Sequence, residues 1–172
     1  HPGASKPERA WPADRVGMVV TTLVREYEAV PILLGSFADA KALETIRSMV
    51  GVRCTPPTGS LNLQEMAALL RHCQLLICND SGPMHIAAAL RVPVVTVFGP
   101  GNRERTGPLS DPVLFPVVSR DFPCSPCRQK YFRECLPAAS GKPRCLDEIG
   151  VDEVLGYCRE MLKLAGSPKV EP

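Results

Sequence analysis

The sequence lacks a long hydrophobic run and a large excess of either charge. Its apolar stretches, such as Val92–Phe98, are far shorter than the roughly 20 residues that a membrane-spanning helix needs. Lys and Arg number 20 against 18 Asp and Glu, which leaves a formal net charge of +2. Because the basic residues are scattered, the composition does not favour nucleic-acid binding. With 45% hydrophobic and 22% charged residues, the chain is predicted to be a soluble globular protein.

Two further signals are missing. The sequence begins at His1, and no charged-then-apolar leader follows, so we expect the chain to be a fragment without its natural N-terminus. No Gly-x-Gly-x-x-Gly follows a predicted strand, which disfavours a Rossmann dehydrogenase. A length of 172 residues, without an internal repeat or linker, predicts one domain over residues 1–172.

The apolar pattern alternates between short strand-like runs and helical periodicity. Helices are predicted from about Asp14 to Tyr27, Asp39 to Val50, Leu63 to His72, Pro83 to Leu90 and Val151 to Leu164, and strands at Pro31–Leu34, Val52–Thr55, Leu75–Cys78, Val94–Phe98 and Val113–Val118. Residues 56–60 are predicted to form a turn and residues 99–111 a long loop. The alternation predicts an α/β fold with a Rossmann-like, mainly parallel sheet and helices on both faces.

The most informative segment runs from an apolar strand through Asn79-Asp80-Ser81-Gly82 into an Ala-rich helix. The first N–H groups of such a helix have no partner within the helix and favour an anion. Asp80 or Ser81 could instead simply cap the helix, and His85 could be an ordinary surface histidine. The position at a strand end of an open α/β sheet favours ligand binding.

The opening segment carries a second candidate anion site. Gly3 and Ser5 can offer donors, and Lys6 and Arg9 supply positive charge that suits phosphate oxygens. The alternative is a solvated N-terminal arm.

The cysteines form two groups. Cys54, Cys73, Cys78 and Cys158 lie singly in apolar surroundings and are predicted to be buried core residues. Cys124, Cys127, Cys135 and Cys145 instead cluster in a Cys-rich loop over residues 124–145. Their spacing leaves three alternatives open, namely a structural zinc ion or iron–sulfur cluster, unligated thiols, or disulfides, the last being disfavoured in a reducing cytoplasm.

The motifs together resemble those of glycosyltransferase family 9, the ADP-heptose:lipopolysaccharide heptosyltransferases. The resemblance is carried by His1-Pro2-Gly3-Ala4, Arg9-Ala10-Trp11-Pro12, Thr58-Gly59-Ser60-Leu61, Asn79 to Ala89 and Val97-Phe98-Gly99-Pro100. The most specific element is Asp-Ser-Gly-x-x-His-x-Ala-Ala-Ala. The resemblance implies the C-terminal half of a two-domain GT-B fold, with an N-terminal acceptor domain that is absent from this chain.

The resemblance also implies a set of donor-binding residues. Gly3, Ala4 and Ser5 would meet the donor phosphates, and Arg9 would replace the phosphate-binding lysine that is usual in the family. Asp80, Ser81, Gly82 and His85 would contact the donor sugar and diphosphate, and Asp39 would bind the ribose.

The activity implied by the resemblance is inverting transfer of heptose from ADP-heptose, or a related nucleotide sugar, to the lipopolysaccharide inner core. No cofactor would be required, and the catalytic base would be an Asp in the missing half, so that this chain alone is inactive. The enzyme would act in the cytoplasm at the inner-membrane face, with peripheral membrane association. A noncatalytic nucleotide-binding module on the same scaffold is the alternative, and a metal-binding domain centred on the cysteines ranks last.

Overall fold

The computed structural model describes residues 1–51, 55–58, 61–108, 111–128, 130 and 132–166. The strands are β1 (Ile32–Leu34), β2 (Thr55–Thr58), β3 (Leu76–Asn79), β4 (Val94–Phe98) and β5 (Val117–Ser119). The helices are α1 (Ala13–Tyr27), α2 (Ala40–Val50), α3 (Leu63–Leu70), α4 (Gly82–Ala89), α5 (Arg103–Thr106), α6 (Arg144–Asp147) and α7 (Val151–Gly166). Single 3₁₀ turns cover Pro7–Arg9 and Phe37–Asp39.

All strand pairs in these sheets are parallel. Strands β3, β4 and β5 form one sheet in that order, and β1 pairs with β2 in a second sheet. Parallel pairing requires crossover connections, which the intervening helices provide. The predicted Rossmann-like α/β class is therefore confirmed.

The central strand β4 is buried along its whole length, as expected for a sheet covered on both faces. Val95 and Val97 pack into one hydrophobic cluster with residues of α1, α2 and α7. Val94 and Phe98 pack into the other cluster with residues of α3 and α4. Because side chains alternate along a strand, this single strand contributes to two cores.

Helix α1 confirms the helical interpretation of its sequence, despite the β-branched run Val19–Thr22. Val16, Val19 and Leu23 are buried on one side, at the spacing of a helix face. The helix ends at Tyr27, and the following residue, Glu28, has a left-handed backbone with φ of 52°. Tertiary burial of the apolar face thus outweighs local strand preference.

The prediction around the second strand was wrong in part. Strand β2 lies at Thr55–Thr58, where the two prolines had predicted a turn. It pairs with β1, with Ile32 opposite Thr55 and Leu34 opposite Thr58. Among the described residues β2 pairs only with β1, and a strand with one unpaired edge tolerates proline. Residues 52–54 of the predicted strand lie outside the described residues.

The predicted strand Val113–Val118 was also wrong in extent, because β5 covers only Val117–Ser119. Asp111 Oδ1 accepts the backbone N–H groups of Val113 and Leu114 at 3.0 and 3.3 Å. This side-chain bonding holds a turn in place of an extended chain. Within the predicted loop 99–111, Asn102 caps the short helix α5 by accepting from the backbone N–H groups of Glu104 and Arg105.

Core burial is confirmed for two of the singly placed cysteines, and a third packs against the core while only half-buried. Cys78 and Cys158 are buried, and burial raises the pKa of Cys78 to about 11 and that of Cys158 to about 12. Cys73 is half-buried, and its Sγ donates to the Leu69 carbonyl at 3.5 Å. Cys54 lies outside the described residues. Among the described helices, none combines the length and apolar character required to cross a membrane.

Candidate functional site

The opening segment lies between the carboxyl ends of β1 and β3. The amino group of His1 donates to the Ile77 carbonyl in β3 at 2.9 Å. On the other side, Gly3 approaches Asp39 so closely that a Cβ at Gly3 would lie 2.4 Å from Asp39 Oδ1. Strands β1 and β3 belong to different sheets, and ligands of open α/β folds bind at the carboxyl ends of the strands.

Asn79, the last residue of β3, fixes the opening segment to the sheet. Its Oδ1 accepts the backbone N–H of Trp11 at 3.0 Å. Its Nδ2 donates to the carbonyls of Pro2 and Gly3 at 2.7 and 3.4 Å. Asn79 is only 1% exposed, so these bonds satisfy polar groups that water does not reach. The solvated-arm interpretation is therefore wrong.

Arg9 and Asp80 form an ion pair at this corner of the molecule. The Arg9 side chain is 15% exposed and that of Asp80 8%. Arg9 Nη1 also donates to Ser5 Oγ at 3.0 Å. Arg9 Nε is buried and has no acceptor among the described atoms. The pair thus holds the guanidinium in one orientation and leaves one donor unmet.

Gly101, in the loop after β4, packs directly against this ion pair. A Cβ at Gly101 would lie 2.3 Å from Asp80 Oδ2 and 3.1 Å from Arg9 Nη2. Gly101 also lines a shallow cavity of about 100 Å³ at the ends of β4 and β5, together with Phe98, Asn102 and Arg103 among others. The predicted donor-binding residues do not line this cavity, but it adjoins them at Gly101.

The start of α4 is not capped by a side chain. Ser81 is the N-cap residue, and no side-chain capping hydrogen bond is formed. Its hydroxyl instead donates to the Asn79 carbonyl at 3.0 Å and lies 3.4 Å from His1 Nδ1. Gly82 and His85 are exposed. The capping alternative is therefore wrong for Ser81, and the positive end of α4 faces the site without a protein anion on its first turn.

Asp39 is engaged locally. Its Oδ2 accepts from both the backbone N–H and the hydroxyl of Ser36, each at 2.8 Å. The other oxygen, Oδ1, is the one nearest Gly3. One carboxylate oxygen therefore holds the turn after β1, and the second borders the opening segment.

The structure brings most of the predicted residues together, whereas His85 is exposed on α4 with no described contact to the others. Gly3 adjoins Asp39, Ser5 and Asp80 contact Arg9, and Ser81 and Gly82 begin α4. Ala4 lies between Gly3 and Ser5, and His85 lies on α4. Two site residues were missed by sequence reasoning, namely Asn79 and Gly101. A polar residue ending an apolar strand and a glycine following the next strand were the available signals.

The second cysteine group lies in the segment that precedes and enters α6. This segment borders the corner, because Lys142 Nζ donates to the Pro7 carbonyl at 2.7 Å, and Ser125 and Pro126 line the cavity that contains Gly101. Cys73, Cys78, Cys124, Cys127, Cys135, Cys145 and Cys158 form no disulfide. Among the described residues, no three His, Cys, Asp or Glu side chains are arranged to hold a metal ion.

The fold and this corner together indicate a Rossmann-like domain. A parallel α/β sheet carries, at its strand ends, an oriented arginine, a buried carboxylate and an uncapped helix start, and helix starts at such strand ends suit anionic ligands.

Comparison with known proteins gives the family. The model of glycosyltransferase family 9 (heptosyltransferase) matches residues 1–135, and the chain belongs to this family. The chain is 36% identical over 115 residues to lipooligosaccharide heptosyltransferase 2 of Haemophilus influenzae, covering 64% of this chain and 33% of that protein. It is 34% identical over 114 residues to lipopolysaccharide heptosyltransferase 2 of Salmonella typhimurium, covering 63% and 32%.

A solved structure agrees with the sequence comparison. The E. coli ADP-heptose lps heptosyltransferase II aligns with a TM-score of 0.74 and 26% identity, covering 95% of this chain and 45% of that chain. The predicted half of a GT-B fold is confirmed by this likeness. The chain spans about a third of the length of the curated relatives it matches.

Proposed function

We propose that this chain is the donor-binding domain of an inverting heptosyltransferase that transfers heptose from ADP-heptose to the lipopolysaccharide inner core. The single observation that carries the proposal is the corner at which Arg9, Asp80 and the uncapped start of α4 meet. The donor named for the E. coli structure, ADP-heptose, supports the choice of ligand. The donor diphosphate lies at the start of α4, and the ribose lies toward Asp39.

In this proposal the chain stabilises the leaving group. The acceptor hydroxyl oxygen attacks the anomeric carbon, and the bond from that carbon to the β-phosphate oxygen breaks. Negative charge then builds on the β-phosphate. Helix N–H groups and the Arg9 guanidinium provide fixed positive potential there without a metal ion. Asp80 orients Arg9, and Gly101 allows the loop after β4 to approach them closely.

We place two parts of the enzyme outside this domain. They are the base that takes the proton of the acceptor hydroxyl and the site that binds the lipopolysaccharide acceptor. The match covers only 33% of the H. influenzae relative, so most of that relative lies beyond the matched part. The complete enzyme works in the cytoplasm, at the face of the inner membrane where its acceptor is anchored, by peripheral association. The isolated 172-residue chain is expected to bind ADP and to transfer no sugar, and measurable transfer would contradict the placement of the base.

The binding role of Arg9 is tested by substitution. Arg9→Gln is expected to weaken ADP binding about ten- to hundredfold and to leave adenosine binding unchanged, because a hydrogen bond to a charged group contributes about 1.5–3 kcal/mol. Calorimetric titration measures both. The matched control is Arg25→Gln, which removes the same charge from the exposed side of α1. If Arg9→Gln folds poorly, Arg9→Lys is the second variant to measure, because it retains the positive charge opposite Asp80. Equal ADP affinity in all variants would overturn the assignment.

Asp80 and His85 are tested in the complete protein. We expect Asp80→Ala and His85→Ala each to reduce donor binding or transfer. The site assignment is wrong if both variants retain both properties. Donor binding without any transfer by the complete protein would instead favour a noncatalytic nucleotide-binding module.

A further inference from the structure

The middle of the opening segment, Lys6–Ala10, carries Arg9 but has no buried residue. The bonds from Asn79 reach the residues on either side of it. Within it, the Pro7 carbonyl accepts the Ala10 N–H at 3.2 Å, which closes a single turn. Because a turn without buried side chains gains little from apolar packing, polar contacts to the rest of the protein decide how firmly it is held.

Lys142 contacts this turn from the last position of the cysteine segment, Asp121–Lys142. Its Nζ donates to the Pro7 carbonyl at 2.7 Å, and Arg9 follows Pro7 by two residues. The Lys142 side chain is half-buried. Burial lowers the pKa of Lys142, and the charge of Glu8 partly offsets this effect. The ammonium group is therefore partly withdrawn from water against the turn that carries Arg9.

The backbone at Lys142 is itself fixed by a tight turn. Pro137 pairs antiparallel with Pro143, and the Ala138 N–H donates to the Lys142 carbonyl at 2.8 Å. Gly141, inside this turn, has a φ of 74°, a left-handed backbone that glycine adopts without steric cost. The lysine side chain therefore extends from an ordered backbone.

A second link connects the tip of the same turn to α1. Ser140 Oγ donates to Asp147 Oδ1 at 2.6 Å, and this oxygen also accepts from Arg15 Nη2 at 3.0 Å. Helix α1, which contains Arg15, begins at Ala13, directly after the opening segment. The turn around Lys142 is thus held beside the opening segment independently of the lysine side chain.

We propose that Lys142 is a positioning residue for Arg9, acting through the Pro7 carbonyl. The inference rests on the proposed function, in which Arg9 meets the donor diphosphate. Asp80 holds the guanidinium end of Arg9, and Lys142 holds the backbone from which the Arg9 side chain extends. A donor fixed at both ends loses less conformational freedom when its ligand binds. Phosphate affinity therefore depends on Lys142, although Lys142 itself does not touch the phosphate.

Calorimetric titration with ADP and adenosine tests the positioning role. Lys142→Met should weaken ADP binding about three- to tenfold and leave adenosine binding unchanged, because adenosine has no phosphate for Arg9 to meet. Lys142→Arg, which retains the charge and the N–H donors, should restore ADP affinity. The control is Lys41→Met, an exposed change on α2, which should alter neither affinity. The emission of Trp11, the single tryptophan of the chain, checks that the opening segment remains folded.

A double-mutant cycle separates positioning from direct phosphate contact. If Lys142 acts through Arg9, Lys142→Met should cause no further loss of ADP affinity in the Arg9→Gln protein. Equal losses in the two backgrounds would overturn the inference in favour of direct contact. Unchanged ADP affinity in Lys142→Met would also overturn it, because the bond to Pro7 would then have no effect on the site. If Lys142→Met does not fold, Lys142→Gln is taken through the same cycle.

Failure of this inference can be told apart from failure of the proposed function. Unaltered protein that binds ADP no tighter than adenosine would overturn both. ADP binding that depends on Arg9 and not on Lys142 would overturn the positioning role alone.

Discussion

Two segments of this protein lie largely outside the sheets and long helices, and they are held in opposite ways. Pro2–Trp11 is fixed from within, because the buried Asn79 amide bonds three of its backbone groups and Trp11 is only 2% exposed. Asp121–Lys142 has no buried residue among those described. Besides local turns, it is held by surface side chains at its two ends, where Asp121 pairs with Arg103 and Lys142 Nζ donates to the Pro7 carbonyl at 2.7 Å. The difference shows that irregular backbone becomes rigid where a strand end supplies it with buried hydrogen bonds.

The contrast bears on function. In the proposed function the opening segment binds phosphate, and a phosphate-binding loop must hold its donors in place before the ligand arrives. The buried bonds from Asn79 give the opening segment this support, whereas the cysteine segment has none among its described residues.

The largest effect is expected from removing the internal support of the opening segment. Asn79→Ala should lower the free energy of unfolding by about 2–4 kcal/mol, because several buried backbone groups lose their partner. Denaturant unfolding measures the change. Asn62→Ala is the control, since Asn62 makes its bond to the Glu65 N–H at 2.9 Å in an exposed cap, and it should cost about 1 kcal/mol. Equal losses in the two variants would remove the contrast between buried and exposed support.

An intermediate effect is expected at the glycine that packs on the ion pair. Gly101→Ala should cost about 1–3 kcal/mol through overpacking and should also weaken ADP binding, because the new Cβ displaces Asp80 or Arg9. Gly150→Ala is the matched control, as nothing lies within 4 Å of a Cβ there. Thermal unfolding and calorimetry report the two properties, and indistinguishable variants would contradict the close approach.

The smallest effect is expected at the ion pair between Arg120 and Glu153. Arg120 lies just before the cysteine segment Asp121–Lys142. Arg120 Nη1 donates to Glu153 Oε1 at 2.8 Å, and this hydrogen bond lowers the pKa of Glu153. Because the pKa of Glu153 is lower in the folded state, the pair stabilises the protein fully at pH values above the unfolded-state pKa of about 4.3. This stabilisation is lost as the pH falls through the folded-state pKa of Glu153.

Glu153→Gln should therefore lower stability by less than about 1 kcal/mol at neutral pH, since the pair is partly exposed to solvent. The difference from the unaltered protein should disappear in acid below the folded pKa. Unfolding curves recorded from pH 7 to about 3 measure this. Glu160→Gln, an exposed change on the same helix, serves as control. A deficit that persists unchanged in acid would contradict the electrostatic origin.

The elements with strong periodicity could be predicted from the sequence. Helix α1 and strand β4 have apolar positions that recur at the helical and buried-strand spacings, and local pattern and burial agree there. Strand β2 could not be predicted, because Pro56 and Pro57 indicate a turn in the sequence. Only the pairing with β1 in the structure identifies these residues as a strand. The start of β5 was missed because the Asp111 side chain bonds the backbone of the residues that follow it.

The sequence predicted several residues of the candidate site, but it did not predict the contacts that these residues make with one another. Strand-end position identified Asp80, and charge identified Arg9, but their ion pair depends on the crossover that brings the opening segment to β3. Likewise, the role of Asn79 depends on backbone groups distant in sequence. Such contacts follow from topology, which local pattern does not encode.

The corner at Arg9, Asp80 and the start of α4 is proposed to bind the diphosphate of a nucleotide donor, and calorimetric titration of the protein with adenosine, AMP and ADP tests this proposal. We expect affinity to rise at each added phosphate and to fall with salt, because the phosphates meet fixed positive potential. ADP binding no tighter than that of adenosine, or no detectable ADP binding at millimolar concentration, would contradict it.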